Sequence, residues 1–272
     1  MIKSLANTAQ KLWKSWEDFN KKVGLPHHPE APYSEMPLMP YQNAFFKTVE
    51  TTRYHKFHIN KARQMGFSEL ILRLIAFRSD NRYKGMKVKL MAGTRSSTTV
   101  KLMDRLKLLF SINYEDEIAN GGDSLFLELK NGTSYEGLPA NPEALTGDTK
   151  IRCIVMDEAA KWDLQDDLPV MNSIMPIVDT NHSDLFLLST PKGKRGFFYK
   201  FDLEDNDFMK LKYDIWQTEN YLYSTEKIGK FLANKTIDVD QEYLNQYTAG
   251  SANVFGTVNI DPNLIAEDWD NI

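Results

Sequence analysis

Lys61-Ala62-Arg63-Gln64-Met65-Gly66-Phe67-Ser68 is the stretch that decides the reading of this chain. The usual phosphate-binding loop runs Gly, four residues, Gly-Lys-Ser/Thr, between a strand and a helix. Gly66 stands at the second glycine and Ser68 at the metal-binding hydroxyl. Phe67 fills the lysine slot, and a lysine stands at the first position instead. Glycine lets the backbone come close to an anion, and the helix N-terminus that follows adds amide donors and positive dipole. A cation is still needed against the β- and γ-phosphates, and Lys61 and Arg63 are both placed to reach back over the loop.

Support comes from downstream. Ile151-Arg152-Cys153-Ile154-Val155-Met156-Asp157-Glu158-Ala159-Ala160 is a short apolar run ending in two adjacent carboxylates. It reads as a buried parallel strand with its acids at the C-terminal tip. In ATPases of this kind the first acid holds Mg²⁺ with the loop hydroxyl, and the second polarises the attacking water. A further apolar strand, Asp184–Leu188, ends in Ser189-Thr190-Pro191, where polar groups can sense the γ-phosphate. Polar strand tips in this order converge on one crevice of a parallel sheet. A surface Asp-Glu and an ordinary Ser-Thr turn is the bland alternative.

The ordered set resembles the ATPase domain of the large terminase subunit, the DNA-packaging motor of tailed double-stranded DNA phages, from about Pro40 to Phe255. Pro40-Tyr41-Gln42 resembles the family's adenine-reading motif, and some members carry the loop lysine at its first position and an arginine at the place of Arg63. Asp157-Glu158-Ala159-Ala160 resembles the Walker B ending. Ser189-Thr190-Pro191 with Gly193, Gly196 and Phe198-Tyr199 resembles the coupling motif. Gln241-Glu242-Tyr243 and Val254-Phe255 match as well.

The resemblance implies an α/β fold of RecA-like P-loop ATPase type, a mostly parallel sheet flanked by helices, with a small C-terminal lid. It implies ATP hydrolysis driving double-stranded DNA into a procapsid. Nucleotide would lie against Gln42 and the loop residues Lys61, Arg63, Gln64, Met65, Gly66, Phe67, Ser68 and Glu69. Ser68 and Asp157 would hold Mg²⁺, Glu158 and Arg63 would be catalytic, and Ser189, Thr190 and Pro191 would couple γ-phosphate loss to lid movement. Gln42 has a plainer reading as a helix cap, and Phe67 one as packing beneath the loop. Implied partners are double-stranded DNA bound without regard to sequence, the portal protein, the small terminase subunit and further copies in a ring. The implied location is the host cytoplasm during assembly, outside the mature virion.

The sequence also departs from the family. Members often place an arginine before the glycine about ten residues ahead of Walker B, where this chain has Thr146-Gly147. Arg95, Arg152 and Arg195 are the candidates for a trans-acting arginine. Members usually continue into a nuclease domain. Here Asp261, Glu267, Asp268 and Asp270 lie on a tail too short to form one, so nuclease activity is expected from a separate domain or subunit. A helicase-like DNA-dependent ATPase and a non-hydrolysing nucleotide-gated module are the rival readings. The helicase needs a second RecA-like domain, and a pure switch has no need of Glu158.

Composition sets the frame. The 272 residues carry a formal charge of −4 with a pI near 5.8, so DNA contact needs a local patch. Lys192, Lys194, Arg195 and Lys200 form one candidate, and Lys84, Lys87 and Lys89 another. Cys153, the one cysteine, sits in an apolar strand and reads as core. The five histidines show no metal-ligand spacing, and no apolar run reaches the roughly 18–20 residues of a membrane span.

Along the chain, residues 1–40 read as a helix followed by a Pro-rich extended connector, with Leu5, Leu12, Trp13, Trp16 and Phe19 on one face. Residues 41–205 form the ATPase core, 206–255 the lid, and 256–272 a tail. Strands are expected at Phe57–Lys61, Lys87–Ala92 and 151–156, and helices at Ser68–Arg78 and Ser96–Phe110. Ser124–Lys130 and Thr133–Glu136 flank Asn131-Gly132, a hairpin signal. Helices are expected in the lid at 224–234 and 238–247.

Overall fold

Apolar residues cover both faces of the strand at 151–157, so helices must cover both faces of the sheet it belongs to. A computed structural model describes residues 12–28, 31–93, 96–139, 145, 148–162 and 164–248. Leu5, Arg95, Thr146-Gly147, Val254-Phe255 and the tail acids lie outside the described residues. The chain opens with α1 (Trp16–Lys22), the short antiparallel pair β1 (His27–His28) and β2 (Ala31–Glu35), and α2 (Pro40–Thr51). There follow β3 (Lys56–Lys61), α3 (Phe67–Arg78), β4 (Lys87–Ala92) and α4 (Ser96–Ser111). Next come β5 (Ile118–Asn120), β6 (Phe126–Leu129) and β7 (Ser134–Leu138), then β8 (Ile151–Asp157) and α5 (Leu164–Asn181). The chain continues with β9 (Asp184–Ser189), α6 (Gly196–Leu203), β10 (Met209–Tyr213), α7 (Thr225–Leu232) and α8 (Val239–Leu244).

Among the described residues the main sheet has eight strands in the order β10-β3-β9-β8-β4-β7-β6-β5. The six from β10 to β7 are parallel, and β6 and β5 extend the edge antiparallel. One strand, β9, lies between the loop strand β3 and the acid strand β8. Alternation decides the layers. Cys153 and Val155, with Phe186 and Leu188, face the core shared with α3 and α4. Ile154 and Met156, with Leu185 and Leu187, face the core shared with α5 and α6.

The N-terminal aromatic face docks on the body. Trp16 stacks on Phe46 with ring centres 4.1 Å apart, and Trp13 Nε1 donates to Phe77 O at 2.9 Å. The strand Met209–Tyr213 lies in the stretch read as lid, yet it pairs with β3 as the edge of the main sheet, Met209 opposite Phe57. Its Met-Lys-Leu-Lys-Tyr alternation puts Met209, Leu211 and Tyr213 against the core, as an edge strand requires. Helix α5 was not legible because Pro169 and Pro176 lie inside it.

At the opposite end of the sheet from the loop, Arg78 of α3 is fully buried. Its guanidinium donates to Asp184 Oδ2 at 2.8 Å and to Glu50 Oε1 at 2.7 Å, and the Tyr83 hydroxyl donates to Asp184 at 2.6 Å. This network ties the end of α3 to the start of β9 and so fixes how the loop at the other end of α3 meets the strand tips. Removing one partner of a buried pair leaves an uncompensated charge, so Asp184→Ala should destabilise the chain by about 3–5 kcal/mol. Denaturant unfolding tests this; a loss below about 1 kcal/mol, the range of exposed pairs, would contradict it.

Candidate active site

The parallel register brings three strand ends to one edge. Asn60 of β3 lies opposite Ser189 of β9, and Leu188 lies opposite Asp157 of β8. Lys61 is 5% exposed, and its Nζ lies 3.3 Å from Glu158 Oε1. Lys161 Nζ takes the other oxygen of Glu158 at 2.6 Å. Asp157 is buried and accepts the Glu158 amide at 2.9 Å, and the nearby Ser68 hydroxyl favours its charged form. Glu158 holds φ at +54°, a left-handed turn unusual for its type.

The two acids are driven apart electrostatically. Burial pushes the Asp157 carboxyl above its ordinary range; Lys61 pulls it down, while the Glu158 charge adds to the rise. Burial acts on Glu158 too, but Lys61 and then Lys161 outweigh it and hold that carboxyl below its ordinary range. Glu158 is therefore a charged acceptor at neutral pH, the form needed to orient a water.

The loop reverses through Gln64 (φ +59°) and Gly66 (φ +74°) into the start of α3. A Cβ on Gly66 would lie 3.1 Å from Gln42 Nε2, so both the left-handed backbone and the close packing favour glycine there. The Tyr41 hydroxyl donates to Met65 O at 2.5 Å. Phe67 is buried against Tyr41, Phe45 and Tyr213, the last with ring centres 4.7 Å apart, so it packs on α2 and β10 beneath the loop. Gln42 does two things. Its Oε1 accepts the Met39 amide at 3.0 Å in a capping box at the start of α2, and it also lines a cavity of about 760 Å³ beside the loop. Gln64, Gly66 and Glu69 share that wall, Gly24 and Leu25 form another, and Tyr223 and Phe231, just before and on α7, close it.

Arg63 is half-exposed and turned to α8, its guanidinium 3.2 Å from Glu242 Oε2. Ser189 Oγ donates to Thr190 O at 2.8 Å, and the buried Thr190 hydroxyl and the buried Pro191 complete that tip. The sequence reading missed Lys161, which directly follows the quoted Asp157–Ala160 ending, and named Tyr41 within the Pro40-Tyr41-Gln42 motif without giving it a role. The Lys84, Lys87, Lys89 patch is corrected. Lys89 is buried and paired with Glu136 and Asp148, and Lys87 also pairs with Asp148, so neither is a free phosphate contact. The alternation of β4 turns Lys89 inward. Arg152 donates to Asn181 O at 3.1 Å from the start of β8, the end of that strand away from Asp157. Lys192, Lys194, Arg195 and Lys200 are exposed around the β9–α6 turn.

No family model matches the chain, and no curated protein matches it in sequence. Solved structures do. The large terminase ATPase domain of Thermus phage P74-26 superposes with a TM-score of 0.61 at 18% identity, over 79% of this chain and 95% of that one. The chain has the fold of a large terminase ATPase domain. The large terminase of bacteriophage HK97 gives a TM-score of 0.62 at 14% identity, covering 85% of this chain and 55% of that one. A large terminase from a thermophilic bacteriophage, solved in complex with ADP, gives 0.60 at 11% identity, covering 78% of this chain and 54% of that one. The α/β fold with a mostly parallel sheet that the resemblance implied is thus the observed one. Among the described residues no helix is long and apolar enough to cross a membrane.

The donor set suits a hard divalent cation of the Mg²⁺ type. A hydroxyl and a carboxylate, Ser68 and Asp157, are close enough for the hydroxyl to favour the charged carboxylate. Among the described residues no cluster of three His, Cys, Asp or Glu offers a fuller cage. In the folded chain Asp157 keeps its proton to higher pH than in the unfolded chain, so its ionised form costs stability above both values, and that cost disappears as pH falls through the folded value. Asp157→Asn should therefore leave the metal-free Tm at pH 7 equal or higher while abolishing Mg²⁺-dependent nucleotide turnover; a lower Tm would show Asp157 to be a stabilising residue. Phe67→Lys, which restores the usual loop lysine on paper, buries an unpaired ammonium among aromatic rings and should lower Tm by many degrees without restoring the activity of Lys61→Ala. A stable, active double variant would contradict this placement.

Proposed function

We propose that this chain hydrolyses ATP to drive double-stranded viral DNA into a procapsid, as the motor domain of a large terminase. The observation that carries it is the ionised Glu158, held by Lys61 and Lys161 beside the Ser68–Asp157 pair at the tip of the sheet. A module that only bound nucleotide would have no use for a charged carboxylate there.

Phosphoryl transfer asks the protein for positioning and charge stabilisation rather than covalent chemistry. The loop amides and the start of α3 bind the phosphates, and Lys61, with Arg63 above it, supplies the cation that the Phe67 position lacks. Ser68 and Asp157 would hold Mg²⁺, which would supply charge neutralisation for the phosphate oxygens. Glu158 orients the water and accepts its proton at a carboxylate oxygen. The base takes the cavity beside Gln42. Ser189 and Thr190, on the strand between loop and acids, register loss of the γ-phosphate.

Portal protein, small terminase subunit and sister copies in a ring are the partners this reading assigns, in the host cytoplasm and outside the mature virion. Arg195, exposed at the start of α6, is the candidate among the described residues for an arginine acting on a neighbour's nucleotide. Without that arginine the isolated chain is a slow ATPase.

Glu158→Gln keeps the shape and removes the charge, so phosphate release should fall by orders of magnitude while nucleotide affinity stays near wild type. Near-normal turnover would sink the assignment. DNA binding should be sequence-blind and fall steeply with salt, with a slope of about 0.9 per phosphate contact in a logarithmic plot. Charge reversal of Lys192, Lys194 and Arg195 should flatten that slope. Salt-insensitive or sequence-selective binding would contradict the motor reading.

A further inference from the structure

Helix α8 touches the loop and the β9 tip at once. The Arg63 amide donates to Glu242 O at 2.8 Å. One residue earlier, Gln241 Oε1 accepts the Gly193 amide at 2.6 Å, in the turn just past Ser189-Thr190-Pro191. At the far end of the helix the Asn245 amide group donates to Asn60 O at 3.4 Å, and Asn60 Nδ2 donates to Asn245 O at 3.4 Å. Asp238 caps α8 by accepting the Gln241 amide at 3.1 Å and also bonds the Thr248 hydroxyl, so the short helix is held at both ends.

We infer that Gln241 is a positioning residue that passes the state of the phosphate-binding loop to the Thr190–Gly193 turn. The inference rests on the reading of residues 61–68 as the phosphate-binding loop. Any displacement of the Arg63 amide is carried to Glu242 by a backbone bond, and Gln241, its neighbour, carries it to Gly193 by a side-chain bond. A ligand at one place alters another only where the contacts between them differ in its two states. Here the path is two hydrogen bonds long. Gly193 has φ +66°, so its amide is presented from a left-handed turn, and a side-chain oxygen reaching out from α8 meets it there. The chemistry required at position 241 is an acceptor, not an amide as such.

Gln241→Leu removes the acceptor at similar volume, and Gln241→Glu keeps it. The expected result for Gln241→Leu is a fall in kcat of about tenfold, inside the range for changes along coupling contacts. Its affinity for a fluorescent ADP analogue should stay within about threefold, since the nucleotide contacts are untouched. Gln241→Glu should match wild type in both. Amide hydrogen exchange gives a reading independent of turnover. Adding a non-hydrolysable ATP analogue should slow exchange in residues 190–196 of wild type and Gln241→Glu, and should not in Gln241→Leu, while protection of 61–70 appears in all three. Equal protection of 190–196 in all three, or a Gln241→Glu variant as impaired as Gln241→Leu, would overturn the inference. A wild-type chain that binds the analogue and shows the exchange pattern but never turns over ATP would overturn the proposed function alone.

Discussion

One buried ammonium, Lys61, holds two adjacent carboxylates together at the tip of the sheet, and the rest of the structure is arranged around that fact. Unit charges about 4 Å apart interact by several kcal/mol in the partly dry edge of a protein, so Asp157 and Glu158 would not both stay ionised there unaided. Lys61 lies 3.3 Å from Glu158 and pulls Asp157 down as well. The placement follows from strand order. With β9 between β3 and β8, the side chain at the end of β3 must span one strand to reach the acids, and lysine has that reach.

Moving the lysine from the usual seventh place of the loop to the first has consequences elsewhere. The vacated position points into a core of Tyr41, Phe45 and Tyr213, and Phe67 fills it. The loop cation then comes from a strand end rather than from the start of a helix. Lys61 is thereby fixed by β-pairing on both sides, to Tyr213 and, through Asn60, to Ser189. Such a lysine is held by the sheet rather than by a flexible loop.

Much of this was legible in the sequence, for a physical reason. Strands buried on both faces give unbroken apolar runs, and polar residues at their ends have nowhere to be but the crevice. That pattern exposed the strands at 151–156 and 184–188 and the acids, and the Gly66-Phe67-Ser68 turn exposed the loop. What stayed hidden depends on tertiary context. Pro169 and Pro176 masked α5, because a helix tolerates them only where packing compensates for the lost bonds. Met209–Tyr213 falls within the stretch read as lid, because its place as an edge strand shows only when β3 is there to pair with it. Lys89 and Arg78 look like surface charges on paper and are core residues in space, their partners Asp148 and Asp184 lying far along the chain. Arg63 was legible as a cation but not its Glu242 partner, since nothing local joins positions 63 and 242.

On the proposed function, phosphate enters beside the ion pair at the strand tips. Lys61 is satisfied by Glu158, and a phosphate entering over Gly66 offers it a second anion. A high-resolution structure of the chain with Mg²⁺ and a non-hydrolysable ATP analogue tests this most directly. The account predicts the Lys61 ammonium in hydrogen-bond contact with a β- or γ-phosphate oxygen, Ser68 and Asp157 on the metal side, and Glu158 facing a water beyond the γ-phosphate. A phosphate group neutralised by Arg63 alone, with Lys61 still locked on Glu158 and out of reach of the nucleotide, would contradict it.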